Sequence, residues 1–453
     1  MKKFLSVLLA AVMVLAMLAG CSNQSGDGTN PPETQPAESQ PAESQPGEES
    51  KAPEGGDKNY EGVELTMWSM WTSEEAQAKV ISEAAAAFEE QTGAKVNIEF
   101  KGRDVNTLLS AALESKEKID IIEDDYQRIA NTYPNVLDLT DMAKAVNYDS
   151  WSYACLNNQV IEWTTEVDDE GNVTKEGYLN SIVEQPQVGG VFYNKDLFEA
   201  AGVTEEPKTW AEFLDACQKL KDSGVGPIAQ DSAYADFAFY HQLVRYLGEE
   251  KIAELDNNGG WSDSDAVKAA QDIIDLRSKG FLADGAPDEY PASQNKVGFG
   301  TAAMVVCANY VTSEVNKNAG TEVNWGLFNY PAVDGGVDNT SAYAGANSLA
   351  VTEYSENAQA AFDFIIFLTT GEWDQKMANE AGQIPADSRN TAPASQAGTI
   401  ETLLAAEKPM TWCAGISANA DLKDTIKSMC TELFEGKYAD GAAFCAALDA
   451  LYK

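Results

Sequence analysis

The chain has 453 residues and a formal net charge of −41, with 31 basic against 72 acidic side chains. That balance argues against a nucleic-acid partner, because phosphate contacts draw on basic surface that this chain lacks. The length exceeds one domain core, and a single histidine with seven cysteines and no CxxC pair leaves no zinc site of standard spacing and no cofactor to expect.

Met1-Lys2-Lys3 makes a short cationic start, and residues 4–18 form an apolar run too short to span a bilayer comfortably, so residues 1–20 read as a secretion signal. Leu18-Ala19-Gly20-Cys21 resembles the lipobox of bacterial lipoproteins. The resemblance implies cleavage before Cys21 and acylation of its thiol, which places the protein on the extracellular face of the cell membrane. Residues 21–60 hold almost no large apolar side chain and repeat Gln-Pro-Ala-Glu-Ser at 35–39 and 40–44. Such a segment cannot offset its ordering entropy, and it reads as a disordered, proline-stiffened acidic tether. The charge of the body would be repelled by an anionic leaflet, so the lipid supplies the anchoring. The remaining cysteines, Cys155, Cys217, Cys307, Cys413, Cys430 and Cys445, suit buried thiols or disulfides, and spacing does not choose between them.

Residues 63–68 alternate as a strand does, and Ser73 with Glu74 and Glu75 is expected to cap an alanine-rich helix running to about Gln91. Residues 95–100 give a second alternating strand, 105–115 a helix and 119–122 a short buried strand. This order predicts a largely parallel sheet with helices on both faces, and ligands collecting beyond the strands' carboxyl ends at 68–71, 100–103 and 123–126. Residues 161–184 read as a hairpin turning at 168–172. A strand follows at 188–194, then helices near 210–223, 237–247 and 266–279. Short strands are expected at 304–307, 324–330 and 348–351, and helices at 356–369, 371–381, 420–434 and 440–451. These elements make two α/β bodies.

Residues 190–203, GVFYNKDLFEAAGV, resemble the extracellular solute-binding proteins of ATP-driven sugar importers, the maltose-binding-protein group. The similarity continues through Glu206-Pro-Lys-Thr-Trp210 and returns at 299–304, at 361–371 and at Gln383-Ile-Pro385. It implies a two-lobed periplasmic-binding-protein-like α/β fold, each lobe a mostly parallel sheet flanked by helices, with the ligand cleft between the lobes. It also implies chain crossings at 188–194, at 343–351 and after Pro385. Lobe 1 would then hold residues 61–187 and 348–385, and lobe 2 residues 188–347 and 386–453. The chain departs from the family pattern at Asn309-Tyr310, where many members carry glycine and tryptophan, and in the long 161–184 hairpin.

A sugar presents hydroxyls around its rim and an apolar face of C–H bonds, so recognition wants aromatic plates and short polar side chains. The candidate plates are Trp71, Tyr126, Tyr234, Tyr310, Tyr343 and Trp412, with Trp68 inside a strand and better suited to the core. The candidate rim groups are Arg103, Asp124, Asp125, Asp231, Asp236, Asn309 and Asn347, the carboxylates making the stronger bonds. Structural roles compete: Asp124 and Asp125 suit a helix cap, and Arg103 suits a surface pair with an acid. Tyr310 and Trp412 rest on their placement in the family.

No nucleophile elbow, metal motif or phosphate loop appears, and in a chain this acidic Asp124-Asp125 carries no weight as a catalytic dyad. The expected protein is a lipid-anchored, monomeric binding protein, not an enzyme. It captures a carbohydrate, an oligosaccharide, by lobe closure and delivers it to the permease of an ABC transporter. A binding protein for a polyamine or peptide, and a secreted glycoside hydrolase, are the alternatives.

Overall fold

A computed structural model describes residues 58–168, 172–406, 409–412, 419 and 421–453. The leader, Cys21, most of the tether and Cys413 lie outside the described residues. Strands β1 (Glu64–Ser69), β2 (Lys95–Phe100) and β3 (Ile121–Asp125) pair in parallel in the order β2-β1-β3. The helix Ala76–Thr92 packs on them because Ala78, Ile81, Ala84, Ala85 and Phe88 recur at helical spacing and are buried. It ends at Gly93, whose φ of 79° favours glycine and where an added Cβ would meet Glu61 Cα at 3.0 Å. Ser73 does not cap this helix. The N-cap is Glu75, whose side chain reaches back to accept from the Thr72 N–H at 2.7 Å and hydroxyl at 3.1 Å.

The expected 161–184 hairpin shrinks to β4 (Glu166–Val167) and β5 (Val173–Lys175). Ile161 belongs instead to the helix Ala154–Thr164, because Leu156 and Val160, four residues apart, are both buried in the core. β6 (Ile182–Asn194) is far longer than the predicted strand. β7 (Gly226–Ala229), β8 (Ala302–Ala308), β9 (Trp325–Phe328) and β10 (Ala344–Val351) complete the strands.

The order is β2-β1-β3-β10-β6-β8-β7, with β9 also paired to β6. The first half of β6 pairs with β10 and its second half, from Gly189, with β8 and β9, so one strand carries the chain from one lobe to the other. The β2-β1-β3 set and the β7–β8 pair are parallel, whereas the strands at the crossing run antiparallel to their neighbours. Gly189 sits where a Cβ would stand 2.8 Å from both Phe237 and Tyr343, so the crossing packs only around a bare backbone.

Each lobe has its own core. Met67, Ile81, Phe88, Tyr148 and Phe364 belong to one cluster, and Phe213, Phe239, Trp261, Leu433 and Phe444 to the other. The helix Ala235–Asn258 is broken at Gly248, φ 71°, directly after the predicted end at Leu247. The helix Thr399–Ala405 stays with the first cluster through Leu403, so the chain remains on that lobe well past Pro385. It meets the crossing at Met410, whose N–H donates to Ala342 O at 2.9 Å. Cys155, Cys217, Cys307, Cys430 and Cys445 are buried free thiols. Among the described residues no helix is long and apolar enough to cross a membrane.

Candidate ligand-binding cleft

A cleft of about 1000 Å³ opens between the lobes. The crossing strands β6 and β10 contribute Gln185, Gln187 and Asn347 to its lining, and loops at the strand ends and the starts of helices build its walls. This follows from the parallel β2-β1-β3 set, whose carboxyl ends all point the same way.

On the first wall, β1 ends into Met70 and Trp71, and the turn after β2 presents Arg103. The Arg103 guanidinium lies 4.4 Å from the centre of the Trp71 ring. It donates to Met70 O at 2.6 Å and to the two Glu75 oxygens at 2.7 and 3.3 Å. Burial pushes the Glu75 carboxyl up, but hydrogen bonds from Arg103 and Thr72 outweigh it and hold Glu75 below the usual carboxylate range. Arg103 is therefore a cation already neutralised.

On the second wall, Tyr234 forms the hub of an aromatic group, with ring centres 5.8 Å from Tyr290, 6.1 Å from Tyr310 and 6.2 Å from Trp412. Asp231, fully buried, accepts the N–H groups of Ser293 at 2.9 Å and Gln294 at 3.0 Å, fixing the segment that carries Tyr290. Gln294 Nε2 in turn donates to Glu314 at 2.9 Å. Burial pushes Glu314 above its ordinary range against that hydrogen bond, and the charges of Arg103 and Glu75 act on it from the opposite wall.

Five of the expected residues come together in this lining: Trp71, Arg103, Tyr234, Tyr310 and Asn347. The other eight are not among its lining residues. Asp124 is buried against Arg128, at 2.8 and 3.0 Å, and bonded by the Tyr133 hydroxyl. Asp125 caps the helix Tyr126–Asn131, accepting from Arg128 N–H at 3.0 Å. Tyr126 is buried, its hydroxyl bonded to Gln159 and 3.2 Å from Ala344 O. Asp231 is committed to the Ser293–Gln294 backbone, and Asp236 is buried in the first turn of its helix. Asn309 holds the crossing, accepting from Val188 N–H at 3.1 Å. Tyr343 donates to Gln187 at 3.0 Å, and Trp412 stacks on Phe237 at 4.2 Å.

Sequence reasoning passed over Glu75, Gln185, Gln187, Tyr290 and Glu314, all of which line the cleft. Gln185 and Gln187 stand two residues apart in β6, just ahead of the 188–194 run, so both fall on one side of the strand, but no alternation of apolar with polar residues marks them. Among the described residues there is no group of His, Cys, Asp and Glu fit to hold a metal ion.

A family described as bacterial extracellular solute-binding protein matches residues 71–375. The sn-glycerol-3-phosphate-binding periplasmic protein UgpB of Brucella melitensis is 26% identical over 206 residues, which is 43% of this chain and 46% of that protein. The chain spans about half the length of the curated relatives it matches. A solved chitin oligosaccharide binding protein aligns with a TM-score of 0.67 at 22% identity, covering 88% of this chain and 98% of its own. Maltose-bound MalE3 of T. maritima aligns with a TM-score of 0.64 at 19% identity, covering 86% and 99%. At such identities the structural likeness establishes the two-lobed fold.

Proposed function

The chain belongs to the bacterial extracellular solute-binding proteins, and from that premise we propose that it captures a neutral carbohydrate, an oligosaccharide, between its lobes and delivers it to an ABC transporter permease. The observation that carries this reading is the composition of the cleft. Aromatic rings from both walls face amide and hydroxyl side chains, while among the described residues the cations of the lining are Arg103 and Lys317 against Glu75, Glu314, Glu322 and Glu380. Arg103 is already bonded to Glu75. A phosphate would have to break that pair and approach three further carboxylates, so the lining opposes an anionic solute such as the glycerol phosphate named for the Brucella relative. The names of the solved neighbours, a chitin oligosaccharide binder and a maltose complex, agree with a sugar. The cleft volume, about 1000 Å³, lies at the upper end for small-molecule pockets and suits more than one sugar unit.

A thermal-shift panel tests this directly. An oligosaccharide at a hundred times its dissociation constant should stabilise the protein by about 2.7 kcal/mol, and sn-glycerol 3-phosphate should leave the melting temperature unmoved. A shift from glycerol phosphate with none from any sugar would refute the reading. The carboxylate excess also favours a second reading, a cationic solute, which a shift from spermidine alone would support.

The leader motif supports lipid attachment at Cys21 and residence on the extracellular face of the membrane. With Cys21→Ser, the protein should incorporate no radiolabelled palmitate, and undiminished labelling would disprove attachment there. The lobe limits read from the sequence, 61–187 with 348–385 and 188–347 with 386–453, stay part of this proposal. The β6 pairing switch at Gly189 favours the first limit, and the packing of Leu403 with the first cluster favours a last limit nearer Met410.

A further inference from the structure

Two carboxyl groups that the cleft does not use lie behind its first wall. Glu123 of β3 is 0% exposed and Glu184 of β6 is 2% exposed. The strand between theirs is β10, in which Leu349 pairs with Glu123. Glu184 sits where the β6–β10 register shifts: Asn347 pairs with Gln185 and Ser348 with Val183, so Glu184 is an extra residue with no partner across the ladder. Among the described residues, none of the four carboxyl oxygens receives a well-formed hydrogen bond. The two groups do reach each other. A pair of ionised carboxylates in contact and out of water would be untenable, whereas one proton between them turns two orphaned oxygens into a strong bond.

The groups acting most strongly on the pair come from three further places. The end of β1 brings the Ser69 hydroxyl, the Met70 N–H and the Trp71 indole N–H to Glu123. Gln185 lies beside Glu184, and Asp374 of the helix Gly371–Ala381 turns its charge toward Glu184. None of these is a cation. Asp374 is itself held by the N–H groups of Ala386 and Asp387, at 2.7 and 3.1 Å, and by Asn390 at 2.8 Å. Trp71 Nε1 is buried and makes no well-formed hydrogen bond, and the acceptor it faces is Glu123. The indole is thus placed between a carboxylate at its N–H edge and the Arg103 guanidinium over its face.

We propose that Glu123 and Glu184, joined by one shared proton, are positioning residues that hold the Trp71 indole in the cleft wall. The assignment of a use to Trp71 rests on the proposed ligand-binding reading; the placement of the ring does not. Three donors, the Ser69 hydroxyl, the Met70 N–H and the Trp71 indole, are turned to Glu123, whereas Glu184 has only Gln185 beside it, so the shared proton is assigned to Glu184 and Glu123 faces the indole as the anion; burial raises both carboxyls. A group whose folded pKa is raised loses its contribution as pH rises. Alkali therefore strips the shared proton, leaves two buried charges in contact and releases the indole.

The test needs no ligand, so it can fail or succeed independently of what the cleft binds. The indole cross-peak of Trp71 in the ¹⁵N-labelled protein, assigned by its loss in Trp71→Phe, is followed from pH 6 to 11. It should titrate on the alkaline side in the wild type and stay flat in Glu184→Gln, where an amide donor replaces the shared proton and the net charge of the pair is kept. At neutral pH, Glu123→Gln should displace the peak and Glu184→Gln should leave it near the wild-type position. The proposal is overturned if wild type and Glu184→Gln share one pH profile, or if Glu123→Gln leaves the peak in place. Should neither variant fold, a flat wild-type profile overturns it.

Discussion

Replacing Arg245 by alanine is expected to lower the unfolding free energy by about 3–5 kcal/mol, the order expected when several buried carbonyls lose a charged donor and a large side chain leaves a cavity. Arg245 is 0% exposed on the helix Ala235–Asn258, and its guanidinium is spent on one loop. It donates to Tyr330 O at 2.9 and 3.2 Å, to Asp338 O at 3.2 Å, to Ser341 O at 3.0 Å and to Asn329 at 3.1 Å. Its own carbonyl accepts from the N–H groups of Val337 and Asp338. Burial pulls the guanidinium down to about 10, with Asp338 and Tyr330 opposing. Alanine would leave the carbonyls of Tyr330 and Asp338 without a donor, leave Ser341 O with only the 3.4 Å bond from Asn329, and open a cavity, costs that add. The loop it holds leads directly into β10, so the damage should spread to the crossing strands. Urea unfolding measures the loss; a change under 1 kcal/mol would mean that water replaces the guanidinium at no cost. Arg245→Lys, with fewer donors and no planar fork, should fall between the two.

Much of the scaffold was written in the order of residues. The strand predicted at 95–100 is β2 as observed, because the apolar Val96, Ile98 and Phe100 alternate with the polar Lys95, Asn97 and Glu99. The placement of Trp71 and Arg103 was equally legible, since both follow strands of a parallel set and such ends face a cleft. The crossing was not. Nearly all of β6 is buried on both faces, so its first half shows no alternation, and the register shift at Glu184 depends on β10, more than a hundred residues away. Arg245 and Glu314 carried no local mark either: one is a lone arginine inside the 237–247 helix, the other one acid among 72 acidic side chains. Asp124 and Asp125 show the opposite failure. A pair of acids at a strand end suits a ligand and suits a helix cap equally well, and only the position of Arg128 decided how they are used.

For binding, the largest single loss should come from Tyr234→Ala, a weakening of roughly 30-fold, or about 2 kcal/mol, in affinity for the oligosaccharide that gives the strongest thermal shift. Tyr234 is the ring to which Tyr290, Tyr310 and Trp412 all pack, so its removal both deletes a plate and loosens its neighbours. Titration calorimetry gives the number, and a change below two-fold in a folded variant would take Tyr234 out of the site. The companion substitution is Trp71→Ala on the facing wall. If closure is driven by a ligand that touches both walls at once, either loss removes the differential affinity that favours the closed form. The double variant should then lose much less than the product of the two single effects, a coupling that two independent subsites on an always-open cleft would not produce.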